Sequence, residues 1–335
     1  MELHQLQMLR ELGELGSVKA VAETLSVTSS AVSQQISLLQ RQVDTPLTRK
    51  DGRNLVLTEA GQVLADAGAD VINAMAKAHA AIGAYQSDRH GSVSISGFHS
   101  AGQALFAPLV SRLAQMRAPS SGAGTDGGRT DGSTDAADDG GTPAGLPGCG
   151  APRVRLSDED VAQHDFPALC AKYDLVLAHR MDHSPPWPEQ QIKVIPLAHE
   201  PLDVALAIDH PLAGKETLTP ADVVNYPWVT SRSGYSPADV LVAVGAMASM
   251  PVNVVHRIND YSTVAALVST GDVIGLLPRY TSSPALNSGV ALRPLAGINT
   301  KRRIDLLVRP ENLKRESVMM VAKALAEVMA ELTGD

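Results

Sequence analysis

The polar residues between Ser29 and Ser37 have the types and the spacing to read another molecule. Val32, Ile36, Leu39 and Val43 recur at helical intervals and claim one face of a short helix. The opposite face then carries Ser30, Ser33, Gln34 and Ser37, with Ser29 at its start. Hydroxyls and a carboxamide on such a face suit hydrogen bonding to base edges: glutamine bonds adenine bidentately and serine suits several bases. Further on, Arg49, Lys50 and Arg53 surround the turn signal Asp51-Gly52, between two extended pieces. Two more segments each end a strand pattern and lead into a helix. They are Gly97-Phe98-His99-Ser100-Ala101-Gly102 and Thr230-Ser231-Arg232-Ser233-Gly234-Tyr235. In open α/β folds ligands bind beyond the carboxyl ends of strands, where helix amides point into the crevice. His99, Ser100, Thr230, Ser231, Arg232 and Tyr235 are therefore the candidate ligand residues. Free amides, hydroxyls and one arginine favour a small carboxylate-bearing ligand such as an amino acid or an organic acid.

Catalytic patterns are missing. The chain has no Gly-x-Ser-x-Gly elbow, no phosphate loop and no His-Glu-x-x-His, and the Gly97–Gly102 segment is not a dinucleotide fingerprint. His179 and His183 have chelate spacing but stand beside Met181 and Pro185-Pro186, so they read as solvated loop histidines. Asp158-Glu159-Asp160 reads as a capped helix start rather than an acid pair. Cys149 and Cys170 are the only cysteines and form neither a disulfide framework nor a zinc site. A non-enzyme without cofactor or metal is expected.

Several elements must hold these residues in place. Leu6, Leu9 and Leu12 give the helix Leu3–Leu15 an inward face, and Gly13 and Gly16 mark its end. Val18, Val21, Ala22 and Leu25 define a second helix, and the hydroxyls of Ser26 to Ser30 can cap the reading helix. Thr58 suits the start of another helix, with Glu59 in its first turn. Its apolar positions Ala60, Leu64, Ala67, Val71, Ala74, Ala78, Ala81 and Tyr85 alternate by four and three. This heptad seam needs a second copy to cover it, so a homodimer through residues 59–86 is expected. Short buried strand patterns alternate with helical ones from Val93 to Val308, which implies α/β layers, and a last helix runs from Glu316 to Leu332.

Composition sets limits. The 335 residues are 44% hydrophobic and 3% aromatic, enough for one small and one or two medium domains. No apolar run approaches a bilayer span and the start lacks a leader pattern, so a cytoplasmic location without membrane contact is expected. The net charge of −8 argues against nucleic-acid binding through bulk electrostatics. In the first sixty residues Glu11, Glu14, Glu23 and Asp44 offset Arg10, Lys19 and Arg41. Non-specific affinity should therefore be weak, with reliance on dimer geometry.

The N-terminal residues resemble the LysR-type transcriptional regulators. The likeness rests on Ala22, Leu25 and Val27, on Ser30-Ala31-Val32-Ser33, on Ile36 and Leu39, and on Pro46-Leu47, Gly52-Arg53 and Leu57-Thr58-Glu59-Ala60-Gly61, kept in register without a gap. The resemblance implies a winged helix-turn-helix domain over 1–58, a linker and dimerisation helix over 59–90 and a two-subdomain effector-binding domain over 91–335, akin to periplasmic binding proteins. Subdomain one would hold 92–197 and 293–335, and subdomain two 198–292. Double-stranded operator DNA, a small-molecule effector, assembly into tetramers and RNA polymerase are the implied partners, with Arg49, Lys50 and Arg53 on the DNA backbone. His210-Pro211-Leu212 and Leu276-Leu277-Pro278 fit the same pattern. The stretch 119–152, rich in Gly, Ser, Thr and Asp, interrupts it and reads as a disordered insertion. Asp44 stands where a glycine commonly ends the reading helix, Thr48 where an aromatic packs, Leu38 where a polar residue is usual, and Ser29 and Gln34 for frequent Gln and Arg. The competing reading, a small-molecule binding or transport protein with a non-DNA-binding helical head, would require an export signal.

Overall fold

The structure is a computed structural model that describes residues 1–52, 54–86, 91–117, 151–188, 191–282 and 289–334, with backbone alone at 83–86 and 117. Arg53, the Tyr85 side chain, Cys149 and residues 119–150 lie outside what it describes. Ala151 and Pro152, the end of the expected insertion, are instead buried where they lead into a strand.

The head is built from α1 (Leu3–Leu15), α2 (Val18–Thr24) and α3 (Ser29–Gln40), followed by the antiparallel hairpin of β1 (Thr48–Asp51) and β2 (Asn54–Leu57). Ser17 accepts the Ala20 N–H at 3.1 Å and Thr28 that of Ala31 at 3.2 Å, capping α2 and α3. Between them Ser26 takes the left-handed conformation, φ 55°. Leu9, Leu12, Val21, Val32, Ile36 and Leu39 close the core. After α3, the Gln40 carboxamide accepts the Leu47 N–H at 2.7 Å and donates to the carbonyls of Val43 and Thr45. That pinned turn requires no left-handed residue at Asp44, so the glycine common at this position is dispensable here.

Helix α4 (Glu59–Gln86) leaves the head with Thr58 accepting the Gly61 N–H at 3.0 Å and donating to the Pro46 carbonyl. Gly61, Ala65 and Gly68 face the head and are buried. Gly68 lies against Leu6 of α1. Ala60 and Leu64, the first two seam positions, are half-buried against the chain's own head, because α1 needs that flank of the helix. From Ala67 onward the seam is open: Ala67, Val71, Ala74, Ala78 and Ala81 are exposed, flanked by Val63, Met75 and Ile82.

The rest is an α/β body. In chain order its elements are β3 (Ser92–Gly97), α5 (His99–Arg117), β4 (Arg153–Asp158), α6 (Phe166–Leu169), β5 (Leu175–Met181), β6 (Lys193–Ala207), α7 (Pro220–Val223) and β7 (Pro227–Thr230). They continue as α8 (Ser236–Ala248), β8 (Asn253–Arg257), α9 (Tyr261–Val268), β9 (Gly275–Pro278), β10 (Val290–Arg293), β11 (Lys301–Val308) and α10 (Glu316–Thr333). The main sheet runs β10-β6-β11-β5-β3-β4, with β9 also on β6, while β7 and β8 form a separate parallel pair. Strand β6 belongs to both halves. It pairs with β11 as far as Pro201, then with β9 and β10 from Leu202. One core gathers Ile95, Leu105, Leu109, Leu177, Leu306 and Leu325; a second gathers Val204, Trp228, Leu241, Val244, Ile274 and Leu276. Strands covered on both faces read as continuous apolar runs; in Leu175–Met181, buried throughout, that run is Leu175–Ala178, with His179 and Arg180 following it.

Candidate functional site

Two sites stand far apart in the chain, one on the head and one between the halves of the body. On the head, burial of Val32, Ile36 and Leu39 turns Ser29, Ser30, Ser33, Gln34 and Ser37 to the surface, all exposed. Ser33 and Ser37 donate to the carbonyls of Ser29 and Ser33, at 2.9 and 2.8 Å, and Thr28 meets Ser30 at 2.9 Å. Their hydroxyl oxygens remain able to accept. Arg49 and Lys50 are exposed on β1, where the hairpin presents them on one edge of the head. Arg53 falls outside the described residues. Arg10, Glu11 and Glu14, which enter the head's charge balance in the sequence, are buried or nearly so and face away from α3.

Between the halves, β3 ends on Gly97, and α5 starts at once. The sequence pattern delays this helix past Gly102; the structure instead makes His99 and Ser100 its first residues. Gly97 and Gly102 both lie close against the Phe106 ring, where an added methyl carbon would stand only 3.0 and 3.1 Å from it, and this bareness permits the sharp start. His99 is held from both sides: Nδ1 lies 2.9 Å from Asp158 at the end of β4, and Nε2 lies 2.8 Å from Asp260, the cap of α9. The hydrogen bond to Asp158 is the main cause that raises the His99 pKa above its ordinary value. Asp158 is thus the end of a strand and not, as its acidic neighbours suggest, the start of a helix.

Ser100 is buried. It accepts from Thr281 and from Arg302, both at 3.2 Å. Arg302 is 1% exposed and donates to Glu200 through Nε at 3.0 Å and Nη2 at 2.7 Å, and its guanidinium lies 5.0 Å from the Phe98 ring centroid. The other Glu200 oxygen accepts the N–H groups of Tyr280 and Thr281 at 2.8 and 2.6 Å. This buried pair is fully hydrogen-bonded, as such pairs must be to persist. It joins β6 to β11 close to where β6 changes partners.

Ser231 is buried and accepts the Ala238 N–H at 3.2 Å, at the start of α8. The Tyr235 phenol donates to the Asp160 carbonyl at 3.0 Å, and the Arg232 N–H donates to Asn259 at 3.0 Å. His99, Ser100, Ser231 and Tyr235 therefore line one crevice, together with Asp160 and Arg302. Thr230 and Arg232 do not. Thr230 turns the other way, into a cavity of about 380 Å³ between α8 and β8, and its buried hydroxyl has no partner among the described residues. Strand alternation sends neighbours 230 and 231 to opposite faces. The Arg232 side chain is exposed beside Tyr235.

The crevice itself holds about 20 Å³, room for one water. His179 lies at its floor rather than in a solvated loop: it is 5% exposed on β5, 3.2 Å from the Ser236 hydroxyl and edge-on to Phe98 and Phe166. Burial, and secondarily the charge of Arg302, hold its pKa well below the ordinary value, so it is a neutral ring. Cys170 is buried too, its thiol pushed up to about 12 by desolvation. Residues overlooked in the sequence are Arg302, Glu200, Asp160, Asn259 and Asp260. Arg302 stands between Lys301 and Arg303 and so looks like one charge of a basic run, and the others carry no local signal that separates them from ordinary polar residues.

Residues 3–62 match the bacterial regulatory helix-turn-helix protein, lysR family, and residues 151–330 match the LysR substrate binding domain. The chain belongs to the LysR family of DNA-binding transcriptional regulators. The Hca operon transcriptional activator HcaR of Escherichia coli is 25% identical over 340 residues, covering 98% of this chain and all of that protein. A probable RuBisCO transcriptional regulator of Trichormus variabilis is 22% identical over 319 residues, covering 94% of this chain and 85% of its own length. A full-length OxyR variant from Pseudomonas aeruginosa has the same fold, with a TM-score of 0.59 at 15% identity, over 98% of this chain and 95% of that one. Among the described residues no helix is long and apolar enough to cross a membrane.

Proposed function

We propose that this regulator binds palindromic operator half-sites as a cytoplasmic homodimer and changes its grip when a small effector occupies the crevice between the halves of its body. The proposed division is a head over 1–58, a linker helix over 59–90 and an effector domain over 91–335. The observation that carries the reading is the exposed polar face of α3: Ser29, Ser30, Ser33, Gln34 and Ser37 stand free while the opposite face closes the core. Arg49, Lys50 and Arg53 would fix the head on phosphates. The open seam from Ala67 to Ala81 would pair two copies, and pairs of dimers would form the tetramer that engages RNA polymerase.

The effector is a carboxylate-bearing molecule, and an amino acid fits better than a simple organic acid. The starts of α5 and α8 with Ser100 and Ser231 offer donors for the carboxylate. Asp158, Asp160 and Asp260 at the mouth offer acceptors for an ammonium group. Arg302 is already neutralised by Glu200 and Arg232 points outward, so neither leads the recognition. A ligand of this size requires the crevice to open, with loss of the His99–Asp260 contact.

The test is binding to the chain's own upstream DNA. Gln34→Ala and Ser33→Ala should each lower discrimination between that fragment and a scrambled one by about 1–3 kcal/mol per lost base contact, with the melting temperature unchanged. Undiminished discrimination in both variants would remove α3 from the reading. A thermal-shift screen of amino and organic acids tests the crevice, and a hit whose effect survives Ser100→Leu would move the effector elsewhere.

A further inference from the structure

Where α1 of the head meets the segment just after β11, five charged side chains cluster, three of them buried and Glu14 and Glu311 partly so. Arg309 donates to both oxygens of Glu11, at 2.5 and 2.8 Å, and to Glu14 at 2.5 Å. Arg10, on the head, donates to Glu311 of the body at 2.8 Å and lies 3.3 Å from Glu11. Arg10, Glu11 and Arg309 are 4%, 0% and 5% exposed. The bridges cross the boundary in both directions, one guanidinium from each side, so a shift of either part strands a charge on the other. Buried pairs of this kind are made or lost together, because a lone partner is left unsolvated. A head merely carried by its linker helix has no need of such a contact.

The same strand reaches the crevice. Arg302, near the start of β11, holds Glu200 and Ser100 there, and Arg309 follows the strand's last residue. They are seven positions apart along extended chain, about 23 Å. Strand β11 is bonded to β5 on one side and β6 on the other, and Ile304 to Val308 are buried. The strand is thus held on both edges, with a guanidinium near its start and another just past its end.

We propose that the Arg10–Glu11–Glu14–Arg309–Glu311 cluster is a clamp that holds the DNA-reading head in one orientation against the effector domain, and that β11 ties its state to that of the crevice. This rests on the functional reading above and adds a second connection between effector site and head besides α4. Arg309→Met keeps the bulk and removes the charge, and Glu311→Gln is the milder variant should the first not fold. Spin labels at Lys19→Cys on α2 and Lys323→Cys on α10, both exposed positions, with Cys149→Ser and dilution into unlabelled chain, report the head's orientation. One narrow distance distribution is expected in the parent and a broad one in the variant; equal widths in both variants would overturn the clamp. The tie through β11 is read as a double-mutant cycle on affinity for the upstream DNA fragment. Asp260→Asn loosens the crevice at one end and Arg309→Met (or Glu311→Gln) frees the other. Sites this distant should act independently unless joined, so a departure from additivity of about threefold or more is expected, and additive effects would overturn the tie. If the parent ignores the fragment, the functional reading fails, while the spin-label distances still decide the clamp.

Discussion

A methyl group at position 61 has nowhere to go: its carbon would lie 2.0 Å from the Leu47 carbonyl oxygen. Gly61→Ala should therefore push α4 off the hairpin and cost about 1–3 kcal/mol or more, seen as a lower first transition in thermal unfolding of the full chain. His99 makes a different prediction. Its pKa is raised chiefly by the hydrogen bond to Asp158, which sits in the same half of the body, and to a lesser degree by Asp260 across the crevice. Only the Asp260 share favours the closed crevice, and that support fades as pH climbs through the raised value. Hydrogen exchange of the α9 amides should quicken over that rise in the parent and show no such step in His99→Gln. An equal step in both would detach the effect from this ring. Individual residues were legible where a period reports the face, as along α3. They were not where a partner is remote: Glu200 and Arg302 are 102 positions apart, and nothing local announces that one will meet the other.

At the level of elements, the helices follow from caps, turns and apolar periods: the first spans Leu3–Leu15 and the linker helix starts at Glu59, where these place them. The start of α5 is the instructive departure. Two glycines suggest a loop through 102, yet their bareness serves to seat the Phe106 ring against the first turn, so the helix begins at His99. The linker helix shows the reverse lesson. A heptad reports which residues share a line but not which neighbour covers it. Ala60 and Leu64 are taken by the chain's own head, whereas Val71 is half exposed. Val71→Glu should leave stability within about 0.5 kcal/mol and turn the dimer into single chains by sedimentation velocity. Dimers that persist at micromolar concentration would place the contact elsewhere.

On the scale of the whole molecule, domain order was plain from the sequence and domain contact was not. Arg10, Glu11 and Glu14 look like ordinary solvated charges on an amphipathic helix, and only the body's Arg309 and Glu311 turn them inward. Burial raises the Glu14 pKa, chiefly by desolvation and against the pull of Arg309. The closed contact thus holds the Glu14 proton more tightly than an open one. This group favours closure fully below its ordinary value of 4.5 and withdraws that support as pH rises through the raised value. At neutral pH its charge is a cost that Arg309 only partly offsets. Glu14→Gln, which can still accept from Arg309, should therefore keep the α2–α10 spin-label distribution as narrow as the parent's. A broad distribution in that variant would show that the Glu14 charge itself fastens the head.

Strand β6 carries one more consequence. Fifteen residues run from one half of the body into the other, with a register shift at Leu197 and Pro196 and Pro201 along the way. Because one ribbon is woven into both halves, parting the walls would twist it instead of swinging them on a free joint. On the functional reading proposed above, an effector that parts the walls would have to work against this twist. Relatives with a softer or firmer span at 196 and 201 would answer the same metabolite at different concentrations without any change in the residues that touch it.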